Sequence, residues 1–186
     1  MEHITTERLL LREWRISDNG DLYEYAKSER VGPNAGWKPH KSEEESKEII
    51  QMFIEDNDSY TIVLKETDTV IGGIGLHERA PYENLTYVKQ KEIGYVLHPV
   101  YWGEGIVPEA VKSLLKHGFE ELDLDLIWCG HYDYNHNSRR VNEKCGFTYQ
   151  FDKKTVLNRL DGREVTSLYY SITKEDYFKS LIPKPQ

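Results

Sequence analysis

No apolar run in this 186-residue sequence approaches the 18 residues that a membrane-spanning helix needs. The opening residues, Met1-Glu2-His3-Ile4-Thr5-Thr6-Glu7-Arg8, lack the basic-then-apolar pattern of a signal peptide. Cysteine is scarce: Cys129 and Cys145 are too few for a disulfide framework or a cysteine-built zinc site. Basic residues are outnumbered, 24 against 32 acidic, and the resulting net charge of −8 argues against duplex nucleic acid as a partner. Repeats, low-complexity tracts and long linkers are missing too. These absences lead to the expectation of a soluble, reduced, cytoplasmic protein with no membrane association.

What is present is ordinary globular material, 38% apolar, 30% charged and 12% aromatic, with 13 tyrosines. The length predicts one domain over residues 1–186, large enough to bury about 70% of its unfolded surface without staples. Residues 8–14 read as a strand. Residues 17–28 read as a helix with Ser17 as N-cap and Leu22, Tyr25 and Ala26 on one face. Residues 31–40, with two prolines and two glycines, read as a loop. Ser42 and Glu45 form a capping-box pattern ahead of a helix expected to turn Ile49, Ile50, Phe53 and Ile54 inward.

Strands are expected over residues 60–66, 70–78, 91–98 and 126–132. A long helix follows residues 99–105, with Pro108 in its first turn and Ala110, Val111, Leu114, Leu115, Gly118 and Leu122 at helical spacing. A short helix over 138–145 ends at Gly146, a hairpin pairs 147–154 with 164–172, and a last helix starts at Thr173. Gly72-Gly73-Ile74-Gly75 lies inside an apolar strand and predicts a bulge or a close backbone approach rather than a phosphate loop. The order is α/β, a mostly antiparallel sheet of about seven strands flanked by helices.

Residues 92–108 carry the chemistry. A strand ends, Gly103-x-Gly105 turns the chain and a helix begins, which presents free amides at the positive end of a helix dipole. A dinucleotide fingerprint would need glycine where Pro108 stands, and no Gly-Lys-Ser/Thr follows, so neither a dinucleotide nor a transferred phosphoryl group fits. Downstream, Asn135 and Ser138 lead into a segment carrying Arg139, Arg140 and Lys144.

Four motifs in register, Thr6-Glu7-Arg8-Leu9-Leu10-Leu11-Arg12, Glu92-Ile93-Gly94-Tyr95, Tyr101-Trp102-Gly103-Glu104-Gly105, and Asn135-x-x-Ser138 with Glu143-Lys144-Cys145-Gly146-Phe147, resemble the GNAT N-acetyltransferases. The likeness is closest to the ribosomal-protein N-acetyltransferase (RimJ/RimL-like) branch. It implies the GNAT-like fold, in which the strands 91–98 and 126–132 splay apart around the cofactor, and transfer of acetyl from acetyl-coenzyme A to a primary amine by direct attack. It implies that amides of Trp102, Gly103, Glu104, Gly105, Ile106, Val107 and the Pro108 turn wrap the pyrophosphate of coenzyme A. Tyr95, Val96 and Leu97 would pair with the pantetheine arm, Asn135 would bond it, and Ser138, Arg139 and Lys144 would complete the cofactor site. The acceptor is a small amine or a protein N-terminal α-amine, a homodimer is an allowed assembly, and no metal is required.

The resemblance also implies departures. Trp102 and Val107 differ from the usual loop residues, and Asn142 stands where many members place a tyrosine that protonates the leaving thiolate, a task beyond an amide. Ser138, Tyr134 or solvent is left for that role. This substitution also sustains a rival reading, a coenzyme A-binding sensor or interaction protein without turnover. For the base, deprotonating a Lys-like amine at pH 7 costs about 4–5 kcal/mol but an α-amine only about 1. A carboxylate acting through water suffices for the latter, and Glu92 is the candidate, against its plain reading as a solvated strand residue. Trp37 and His40 either line the acceptor pocket or anchor their loop. The net charge favours a cationic acceptor through steering.

Overall fold

The computed structural model describes residues 1–79, 81 and 87–183. Eight strands make one sheet: β1 (Ile4–Thr5), β2 (Leu9–Arg12), β3 (Ser59–Leu64), β4 (Thr69–His77), β5 (Gln90–Leu97), β6 (Leu126–Tyr132), β7 (Thr148–Val156) and β8 (Glu164–Thr173). Their order is β1-β2-β3-β4-β5-β6-β8-β7. Every neighbouring pair is antiparallel except β5 with β6. The expected α/β sheet is therefore present, with one strand more than the sequence suggested. β1 pairs only two residues with β2, too few to leave an alternating pattern.

Among the described residues, six helices flank the sheet: α1 (Asn19–Ala26), α2 (Gly32–Ala35), α3 (Glu43–Asp56), α4 (Ile106–Lys116), α5 (His136–Cys145) and α6 (Lys174–Ser180). α1 and α3 close one face around Trp14, Leu22, Tyr25, Ile50, Val63 and Val70. α4 closes the other, burying Ile106, Val107, Ala110, Val111, Leu114 and Leu115 against Ile62, Ile93, Leu97 and Ile127. Each fully buried large aliphatic side chain contributes about 1.5–3 kcal/mol, so the start of α4 is fixed by its own first turn.

Several local expectations change. Ser17 lies inside a 3₁₀ turn, Ile16–Asp18, and does not cap α1. The buried pair of Arg12 with Asp18, two contacts of 2.8 Å, draws the chain into that turn, and Asp18 also accepts from Arg15 N. Within residues 31–40 the structure forms α2, since Pro33 in the first turn forfeits only an amide hydrogen that would go unused. Ser42 does cap α3 through Glu45 N, but Glu45 reaches Lys41 N rather than closing a box. Ile54 is 39% exposed and Leu122 42%, both at fringes of their faces. Leu122 follows a π turn, His117–Glu121, that shifts the helical phase. The Gly72–Gly75 expectation stands: β3 and β4 slip register beside it, and a Cβ on Gly72 would lie 2.4 Å from Val96 O.

Among the described residues, no helix is long and apolar enough to cross a membrane.

Candidate active site

The feature that makes a site is the parting of β5 from β6. Their parallel ladder runs from Gln90 with Leu126 to Ile93 with Cys129 and stops there. β5 continues to Leu97 on β4, and β6 continues to Tyr132 on β8. Two strand ends thus face each other without a ladder. A cleft of about 1290 Å³ opens at this point, lined from β5 by Glu92 to Leu97 and from β6 by Gly130, His131 and Tyr132.

Strand alternation divides the lining into two walls. Glu92, Gly94 and Val96 project to the α1/α3 face, while Ile93, Tyr95 and Leu97 project to the α4 face. Glu92 lies across from His77 on β4 and Trp128 on β6. Its side chain is 17% exposed, and Arg79 Nε lies 3.7 Å from its Oε2. Burial raises its pKa above the ordinary carboxylate value, opposed by the charges of Arg79, His77 and Lys153. Gly130 makes room for it: a Cβ there would lie 3.1 Å from the Tyr169 ring and 3.3 Å from Glu92 Oε1. His77 Nδ1 in turn lies 2.6 Å from Asp58 Oδ2. A carboxylate whose pKa burial raises, against the pull of its cationic neighbours, is a stronger base than an exposed one.

On the opposite wall the Tyr95 hydroxyl lies buried by Ser138 and Cys129, without a hydrogen bond of full geometry. Burial holds the phenol neutral, its pKa well above the usual value. Ser138 and Asn142 sit one turn apart on α5. Asn142 is fully buried, with neither amide atom partnered, and it does not line the cleft. Tyr134 is engaged elsewhere, its hydroxyl donating to Pro33 O at 2.8 Å. That leaves Ser138 on the cleft wall as a hydroxyl donor.

The loop into α4 sits at the mouth. Gly103 and Gly105 adopt φ of 88° and 77°, which a side chain would strain, and a Cβ on Gly103 would meet nothing within 4 Å. Glu109 N makes the first intrahelical bond, to Gly105 O at 3.1 Å, so the amides at the start of α4 have no carbonyl one turn back, whereas Trp102 N donates to Pro99 O at 3.3 Å. Trp102, Gly103, Gly105, Ile106, Val107 and Pro108 all line the cleft, whereas Glu104 does not. Its carbonyl instead accepts from Arg8 Nη1 at 3.0 Å. The Trp102 indole donates to Leu97 O at 2.8 Å, tying loop to strand end and occupying one carbonyl the sequence left free.

Asn135 caps α5, its Oδ1 accepting from Ser138 N at 3.1 Å, while its Nδ2 donates to Asn34 O. One amide hydrogen remains for a ligand. Arg139 differs from expectation: it pairs with Glu143 one turn on, at 3.0 Å, and does not line the cleft. Arg140 and Lys144 do. Trp37 and His40 both line the opposite rim and also anchor their loop, with rings 5.2 Å apart and His40 Nδ1 2.8 Å from Ser46 Oγ. Sequence reasoning missed His77, Arg79 and Lys153 around Glu92, because register and not spacing brings them there. It is the pairing of β4 with β5 that sets His77 across from Glu92, and no local sequence signal marks it.

Comparison with known proteins gives one consistent result. The profile of the acetyltransferase (GNAT) domain matches residues 8–148. The chain is 31% identical over 179 residues to the uncharacterized N-acetyltransferase YnaD of Bacillus subtilis, covering 94% of this chain and 99% of that one. An acetyltransferase of the GNAT family from Bacillus anthracis superposes with a TM-score of 0.81 at 25% identity, over 94% of this chain and 99% of that one. The ribosomal-protein-S5-alanine acetyltransferase of Vibrio fischeri shares the fold, with a TM-score of 0.71 at 21% identity over the full length of both.

Proposed function

Since the chain belongs to the GNAT acetyltransferase family and is an N-acetyltransferase, we propose that it transfers acetyl from acetyl-coenzyme A to a primary amine by direct attack, with both substrates bound in the cleft between β5 and β6. The observation that carries this reading is the opposition of Glu92 on one wall to Tyr95 and Ser138 on the other.

The residues present fit the cofactor. A slot between two strand ends that do not pair with each other suits an extended amide-bearing arm, the open amides of Gly103, Gly105, Ile106 and Val107 suit a pyrophosphate, and Arg140 and Lys144 supply positive charge. When bound, acetyl-coenzyme A supplies an acyl group already activated as a thioester. A backbone N–H from Tyr95 to Leu97 polarises the acyl oxygen, a contribution of about 2.7–4 kcal/mol for one fixed donor. Glu92 takes the proton of the attacking ammonium through a water, and its raised pKa suits an amine of pKa about 8 better than one of about 10. Ser138 gives its hydroxyl hydrogen to the departing sulfur and is reprotonated, through solvent, by the second proton that the nitrogen sheds as the amide forms. The site residues taken as cofactor contacts are thus Tyr95 to Leu97, Trp102, Gly103, Gly105 to Pro108, Asn135, Ser138 and Lys144, with Arg140 in place of Arg139. The common sheet supports reading residues 1–186 as one domain.

The test is thiol release from acetyl-coenzyme A against a panel of small amines and N-terminal peptides. Release with at least one acceptor is expected. Tight cofactor binding with no turnover on any of them would overturn the reading in favour of a sensor.

A further inference from the structure

The whole molecule is acidic, with a net charge of −8, but the wall around Glu92 is not. Arg79 stands 3.7 Å from the Glu92 carboxylate with most of its surface exposed. Lys153, on β7, belongs to the same face as Tyr169 and Ser167, and its Nζ lies 5.1 Å from the centroid of the Tyr169 ring. Arg159, which lies between β7 and β8, lines the same cleft and acts electrostatically on Tyr132 and His40. Among the described residues neither Lys153 nor Arg159 has an acidic partner. Of the other acids on the cleft wall, Asp58 is engaged with His77 and Glu45 with Lys41 N, while Asp56, at the end of α3, pairs with neither cation.

This arrangement disfavours the proposed chemistry when it stands alone. Cations beside a carboxylate stabilise its ionised form and make it a poorer base. They also repel an incoming ammonium. A site shaped only for a cationic amine would not gather them around its base. They become favourable if the acceptor carries its own anion, which pairs with them on binding and returns basicity to Glu92. A guanidinium next to a carboxylate matches one ligand in particular, in which a carboxylate and an amine leave the same carbon. The planar donors of Arg79 suit the former and Glu92 the latter.

We infer that the acceptor is a small amine bearing a carboxylate next to it, an amino-acid-like compound, held by Arg79 with Lys153 and Arg159 behind it, and not a protein N-terminus. The inference rests on the reading of Glu92 as the base. It reverses the expectation drawn from net charge, because the field that selects a bound ligand is that of the nearest groups.

The experiment compares matched acceptors: free amino acids, the same amino acids as carboxamides, and peptides with a free N-terminus. The carboxylate form should exceed the carboxamide in kcat/KM by about 10–100-fold, the range for one charged hydrogen bond. Arg79→Gln should remove that preference by raising acceptor KM with KM for acetyl-coenzyme A unchanged, Lys153→Gln should weaken it, and Arg79→Lys should restore part of it. Equal or better use of the carboxamides or peptides would overturn the inference while leaving acetyl transfer intact. Binding of N-acetyl amino acids against their amides, followed by tryptophan fluorescence, reads the anion site without turnover. Equal affinity there would also overturn it, whereas failure of every amine with anion-selective binding would instead count against the proposed reaction.

Discussion

The Arg8 guanidinium holds the Glu109 carboxylate at 2.7 Å, and Arg8 N reaches the other oxygen of the same group at 2.9 Å. Thr6 Oγ1 adds a third bond at 2.6 Å, and Arg8 Nη1 reaches on to Glu104 O. These bonds hold Glu109 below its ordinary pKa despite its partial burial. The opening Thr6-Glu7-Arg8 segment is therefore a brace under the Gly103–Gly105 turn. Arg8→Ala should raise KM for acetyl-coenzyme A about tenfold, equivalent to about 1.4 kcal/mol, with little change in kcat. Steady-state kinetics at saturating acceptor would show it, and an unchanged KM would separate the brace from the cofactor.

Glu92→Gln should lower kcat by about 10²–10⁴ and leave cofactor affinity unchanged. The raised pKa of Glu92 adds two pH effects. Activity needs the ionised form, so the acid limb of kcat/KM should lie above the ordinary carboxylate pKa. Because Arg79 lowers that pKa, Arg79→Gln should move the limb to higher pH. Stability runs the other way. A carboxyl that binds its proton more tightly when folded destabilises the native state progressively as pH rises from the unfolded pKa, about 4.3, through the folded one. Glu92→Gln should therefore raise Tm at pH 7, with the gain vanishing below about pH 4. Thermal melts at both pH values check the sign.

Gly130→Ala probes the same carboxylate from across the cleft. The added methyl would press on the Tyr169 ring at 3.1 Å and on Glu92 Oε1 at 3.3 Å, so one of them must move. A loss in kcat of about tenfold or more is expected, with the fold retained, because a small displacement of a base is costly to proton transfer. Circular dichroism and kinetics on the same sample would distinguish displacement from unfolding.

Asn142→Leu keeps the branching of the side chain and removes two buried polar atoms that have no partner. Each such atom costs about 1–3 kcal/mol, so the variant should melt at least about 2 °C higher. A lower Tm would mean that the amide is satisfied by a buried water.

The sequence carried much of this architecture, for identifiable reasons. Strand β6 has its ends where the sequence places them, and Gly146 and Thr173 cap their helices as turn chemistry dictates, whereas α5 begins at His136 under an Asn135 cap, two residues before the expected start. What stayed hidden depends on contacts distant in sequence. Nothing local to Ser17 shows that Asp18 is committed to Arg12. Likewise, Arg139 and Arg140 are equivalent by composition, and only the phase of α5 sends one to Glu143 and the other to the cleft. The loop glycines and Glu92 were legible because family motifs mark them. The cations around Glu92 were not, since His77 ends β4, Arg79 follows it and Lys153 stands on β7, and no motif spans them.

The gap between β5 and β6 sets what kind of molecule can block this protein. Most sheets keep their unpaired backbone at the outer rim, where shortness or charge protects it. Here β1 is two residues long and β7 carries Lys153 and Lys154, so the rim is guarded in that way. Where β5 and β6 part, a stretch of main chain without a ladder lies inside the sheet, where edge-to-edge aggregation cannot reach it. Such a slot selects for shape before chemistry: a narrow, extended chain of alternating amide donors and acceptors, entered from one end. Inhibitors built as backbone mimics, with a carboxylate at the inner tip, would span both walls at once.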